Sequence, residues 1–177
     1  MASPQALSEA DRRIVALWAA DCADRVLHLF ETEAPTNGVP RDAIARARAF
    51  GRGELGAADE IRRRFVAGRA ANDVASPAAV AAARSAAQAS GVAHMGAHAL
   101  GAAAYAAKAA ALASPENATA MDDEIGWQLE NMSAEARSAL ASLPLLGENS
   151  AGPLGAGLLA SGLLGSTIRT IQAGVAT

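Results

Sequence analysis

The chain has 177 residues, of which 51% are hydrophobic but only 3% aromatic, with 15 basic and 18 acidic side chains and a net charge of −3. That length buries a core without disulfides or structural metals, so one globular unit is the default. The single Cys22 permits no intramolecular disulfide, and the charge balance gives no reason for a nucleic-acid partner. Ala supplies 49 positions. Ala loses no side-chain entropy on entering a helix, and no stretch alternates with period two for long. The expected fold class is therefore all-α, a compact multi-helix bundle of about six helices. An excess of Arg over a lone Lys is the imprint of a GC-rich bacterial genome, as in actinobacteria. The opening MASPQALSEADRR lacks a charged-then-apolar leader pattern, so a cytoplasmic location is expected.

The first helix is predicted from Glu9 to Glu33. Ser8 caps it, with Asp11 at the third position, and Ile14, Leu17, Trp18, Cys22, Val26, Leu29 and Phe30 follow the helical period. Asp21 stands out within this apolar run. A buried carboxylate must be paired, and Arg25, Arg46 and Arg48 are in reach. The breakers of residues 34–40 mark a turn, and Pro40 suits the first position of a second helix ending by Gly51 or Gly53. A third helix is expected over Ala57 to Asn72, with Ile61, Phe65 and Val66 inward. Across these elements Arg41, Arg46, Arg48, Arg52, Arg62, Arg63, Arg64 and Arg69 face only four acids. Such a surplus is either a solvated face or a basic patch that steers an acidic protein partner.

Ser76-Pro77 pairs a cap with proline at the first helical position. Two helices are expected from here, over 77–89 and 92–112. In the second, Gly91, His94, His98, Gly101, Tyr105, Lys108 and Leu112 lie within about 60° of one line at 100° per residue. One face thus holds His94, His98, Tyr105 and Lys108, and the other is a ridge of small residues that lets a neighbouring helix approach closely. His94 and His98, four residues apart, have the spacing of two imidazole ligands to one metal. The Glu that follows the first His of the usual helical zinc motif is replaced by Met95. A polar seam between helices or a ligand pocket using Trp18, Asp21, His94, His98 and Tyr105 are the other readings of these residues. Ser114-Pro115 repeats the start signal for a helix running to Met132, and Ser133 caps a short one over 134–142.

Residues 1–144 form the expected bundle domain and 145–177 a Gly-rich apolar tail. The uncharged run from Pro153 to Ile168 is shorter than the roughly 20 residues that span a bilayer, so a membrane is not the expected partner. The tail either folds back on the bundle or docks on a partner. In the latter case the bundle would be cargo for a larger assembly. There is no Gly-rich phosphate loop and no Gly-x-Ser-x-Gly elbow, hence no catalytic residue and no cofactor is assigned.

Four blocks, taken together, carry a resemblance: Leu17-Trp18-Ala19-Ala20-Asp21-Cys22-Ala23; Pro40-Arg41-Asp42-Ala43-Ile44 followed by Arg46-Ala47-Arg48-Ala49-Phe50; His98-Ala99-Leu100-Gly101 through Tyr105 to Lys108-Ala109, preceded by His94; and Glu124-x-x-Trp127-Gln128. In this order, over about residues 8–144, they resemble the Ala-rich helical immunity proteins of bacterial polymorphic-toxin systems, the immunity-five-like group. The resemblance implies an intracellular, non-enzymatic protein that binds and blocks a cognate toxin. A small-molecule- or metal-binding bundle is the alternative that the His94/His98 face leaves open.

Overall fold

A computed structural model describes residues 3–63 and 65–177. The described residues form eight α-helices and no strand: α1 Glu9–Glu33, α2 Val39–Gly51, α3 Ala57–Arg63, α4 Pro77–Gly91, α5 His98–Ala113, α6 Ala120–Glu130, α7 Ala134–Ala141 and α8 Gly162–Val175, with short 3-10 turns at Ala67–Asp73 and Leu158–Ala160. The all-α expectation holds, with eight helices in place of about six. No helix among the described residues is long and apolar enough to cross a membrane.

The caps explain the starts. The side chains of Ser8, Ser76 and Ser133 each accept a backbone N–H three residues on, which satisfies a donor with no intrahelical partner. Three expected boundaries move. The third helix stops at Arg63, because a 3-10 turn over Ala67–Asp73 follows instead of further α-helix. The break changes the register, so Phe65 and Val66 point outward, 67% and 47% exposed. Ser114-Pro115 opens no helix: Ser114 is the C-cap of α5, and α6 begins only at Ala120.

The third shift concerns residues 92–97, expected to be helical. They form a turn because the N-terminal segment captures their donors. Gly96 N–H donates to the Ala6 carbonyl and Ala97 N–H to that of Gln5. Gly96 is needed there, since a Cβ would fall inside the Leu7 side chain.

Helix α5 is the axis of the bundle. It touches α1, α4, α6 and α8, and every residue from Ala99 to Ala107 is buried. The small-residue ridge does what its composition implies. Ala82, Ala83, Ala86 and Ala89 of α4 are buried with Ala99, Ala102, Ala103 and Ala106 of α5 in one core. The Ser85 hydroxyl donates to the main-chain carbonyl of Ala102 across 2.7 Å, a reach that only closely packed helices allow.

The Gly-rich C-terminal segment folds onto this bundle. Leu154, Leu159, Leu164, Ile168, Ile171 and Val175 are buried in the same core cluster as α1 and α5. The buried Gln5 side chain fastens its loop: its amide donates to Asn149 and to the Ala151 carbonyl, and its Oε1 accepts from Leu154 N–H at 2.9 Å.

Candidate functional site

The residues expected to share one site separate into three places. Trp18 is buried, and its indole N–H donates to the main-chain carbonyl of Gln128. Asp21 is half-exposed on α1 and is bound by Arg48 of α2 at 2.8 Å, which also reaches Asp24. The ion pair expected for Asp21 is thus present, but at the surface and not in the core. His94, His98, Tyr105 and Lys108 stay on the α4–α5 side. His94 lies in the turn and not on the helix, so the two imidazoles do not share a helical i, i+4 frame. Among the described residues, no group of three or more His, Cys, Asp or Glu could hold a metal ion.

A buried polar cluster that the spacing did not single out ties α1 to α6. Arg25 Nε donates to both carboxylate oxygens of Glu124 at 2.9 Å. Its guanidinium stacks on Trp127, 3.9 Å from the ring centroid. The Gln128 amide, fully buried, donates to Glu124 and to the Ala103 carbonyl of α5. Cys22 lies in the same neighbourhood, its thiol pushed up by burial first and by Glu124 second; it is an inert core residue. The available signal was Glu and Gln four residues apart flanking a Trp, on a helix whose other polar residues face water.

The basic surplus of α2 and α3 is largely compensated within the chain. Arg41 pairs with Glu31, Arg46 with the buried Glu60, Arg48 with Asp21 and Asp24, Arg52 with Glu54, Arg62 with Asp59, and Arg63 with Asp42 at 3.7 Å. Counting charge along the chain misses this because α1, packed against α2, supplies three of the carboxylates. Arg69 is exposed; Arg64 lies outside the described residues.

The groove of interest opens over the C-terminal half of α4. Phe65, Ala87, Gln88, Gly91, His94 and His98 line it. His98 Nδ1 lies 2.8 Å from Gln88 Oε1. A carboxamide oxygen only accepts, so this contact places the ring proton on Nδ1 and leaves Nε2 as an acceptor. Burial, and secondarily His94, push the His98 pKa down to about 4, so the ring is neutral near pH 7. Two glycines make room for the pair. A Cβ on Gly91 would meet the His98 ring at 3.0 Å, and one on Gly101 would strike Gln88 Oε1. No sequence signal marked Gln88.

The four blocks of the resemblance are therefore linked in series by hydrogen bonds. Asp21–Arg48 joins the first to the second, Trp18–Gln128 the first to the fourth, and Gln128–Ala103 the fourth to the third. The residues that carry the resemblance are thus interhelical cross-links of an all-α scaffold. The Imm-5 like putative immunity protein family matches residues 5–135, and the chain belongs to that family. Comparison with curated proteins and with solved structures gives no match.

Proposed function

We propose that this chain is a non-catalytic binding protein that neutralises a cognate bacterial toxin in the cytoplasm by covering a surface the toxin needs. Membership of the immunity family over residues 5–135 carries this reading. The placement of side chains supports it. Trp18, Glu124, Trp127 and Gln128 are used up in holding helices together, while Trp18, Asp21 and the His94/His98 pair, which a ligand site would need together, lie apart. A rigid, internally cross-linked platform suits occlusion, since little conformational entropy is lost when it binds.

The test is co-expression with the toxin domain encoded by the adjoining gene. Growth is expected to be restored, and the two proteins to co-purify as a stable complex. Undiminished toxicity together with no complex would overturn the proposal. Toxin that emerges chemically altered after a transient encounter would instead assign the chain a catalytic role.

A further inference from the structure

Two long intervals of the chain lack acidic residues: 74–115 and 149–177, the latter with Arg169 as its one charged side chain. From Val74 to Pro115 there is no Asp or Glu, and the charged residues are Arg84 and Lys108. These positions build α4 and α5. The arginines of α1 to α3 sit largely on carboxylates of their own chain, but among the described residues no ion pair involves Arg84 or Lys108. Arg84 is exposed, its guanidinium 6.0 Å from the Tyr105 ring centroid, and Lys108 lies one helical turn beyond Tyr105. One turn along α4 in the other direction is Gln88, where the groove begins. At its edge stands Phe65, the most exposed large apolar side chain among those described.

This face therefore joins an exposed aromatic ring, a groove with an imidazole acceptor and two uncompensated cations, in a chain of net charge −3. The opposite character appears on α6 and α7, where Asp122, Asp123, Glu130 and Glu135 are exposed and no ion pair engages them among the described residues. An acidic partner is repelled there and drawn to α4–α5. Exposed aromatic and arginine side chains together are also what interface centres are made of.

We propose that the α4–α5 face, with Phe65, Gln88, His98, Arg84 and Lys108, is the surface that takes the toxin. The toxin supplies an acidic segment whose carboxylates reach Arg84 and Lys108 and whose apolar side chain packs against Phe65 in the groove. This rests on the toxin-neutralising reading and adds the place and the chemistry of contact.

The experiment is calorimetric titration of the adjoining gene's toxin domain into the wild type and into Arg84→Glu, Lys108→Glu, Phe65→Ser and, as a control on α7, Glu135→Lys. Circular dichroism melts are run on each. Arg84→Gln and Lys108→Gln serve if a charge reversal disturbs folding, and Phe65→Leu if the serine does. Each of the three face variants is expected to lose roughly tenfold or more in affinity. For the two charge variants the deficit shrinks at high salt, where screening removes the same term from the wild type. Glu135→Lys stays within about twofold, as remote surface changes do. Tight binding of all three face variants alongside the wild type would reject this surface and leave the toxin reading standing. A wild type that dimerises through this face, and is made monomeric by Arg84→Glu, would give the face to a second copy. A wild type that neither binds nor rescues removes the toxin reading and this site together.

Discussion

The indole N–H of Trp18 donates to the main-chain carbonyl of Gln128 across 2.8 Å, bridging α1 and α6 over 110 residues of chain. Both residues are buried, so no water replaces this bond when it is lost. Trp18→Phe keeps an aromatic ring but leaves the carbonyl without its donor and reduces the packed volume. A loss of about 2 kcal/mol is expected, from the cost of an unsatisfied buried acceptor plus the smaller side chain. Urea unfolding followed by circular dichroism measures it. A midpoint unchanged from wild type would mean that the bridge is not part of what holds α6 in place.

Glu124 is the hub of the same cluster. It is 6% exposed, and it accepts from both Arg25 and Gln128. Removing it with Glu124→Ala leaves a guanidinium against Trp127 without its counter-charge. Arg25 retains access to water, so the penalty falls below that of a fully buried broken pair, at about 2 kcal/mol. Glu124→Gln keeps the shape and one acceptor and is expected to lose less. The order Gln milder than Ala is the informative outcome; equal losses would show that the charge alone, and not the side-chain volume, matters there.

Much of this architecture was legible in the sequence. The Ser8, Ser76 and Ser133 caps placed the starts of α1, α4 and α7, because a side-chain oxygen three residues ahead of an orphan donor is a local signal. The Ala ridge announced the close approach of a neighbouring helix, which the structure shows to be α4. What failed was non-local. The turn at 92–97 exists because Gln5 and Ala6, some ninety residues away, accept its N–H groups. The ion pairs of α2 needed Asp21, Asp24 and Glu31 from α1, which a running charge count cannot assign. Ser114-Pro115 looked like a start because Ser-Pro serves a turn as well as a cap. Leu164, Ile168, Ile171 and Val175 keep helical spacing, but surrounding glycines disguised it.

The His98 imidazole gives stability a pH dependence with a defined sign. In the unfolded chain it takes up a proton near the ordinary 6.5, whereas in the folded chain its pKa is about 4. Between those values the unfolded state binds more protons, so stability rises with pH across the window. The contribution is complete above pH 6.5 and is lost as pH falls toward 4. Full loss is worth about 3 kcal/mol by linkage. The titratable group facing it is His94, while Gln88 on α4 contributes a neutral oxygen. His98→Gln should flatten the difference between melting temperatures at near-neutral and mildly acidic pH. Parallel curves for the variant and the wild type would rule out His98 as the cause.

Residues 145–177 lie beyond the stretch that the family matches, yet their burial makes them part of the core rather than an appendage. Ile168 and Ile171 are fully buried, and α8 covers α5, the axial helix. Arg137 of α7 donates to the Gly174 carbonyl at 2.5 Å and to Leu129 at 3.1 Å, clamping the end of α8 to that of α6. Deleting 145–177 would uncover α5 and strip the Gln5 side chain of its partners at Asn149, Ala151 and Leu154. Each large aliphatic side chain removed from a core costs about 2–5 kcal/mol, and seven go at once, Leu146 among them, against a total stability of about 5–15 kcal/mol. The truncated chain is therefore expected to be insoluble or to show no cooperative melt. A soluble truncation with a sharp transition near that of the full chain would establish that the first 144 residues fold alone. The C-terminal segment would then be free to act as a docking element.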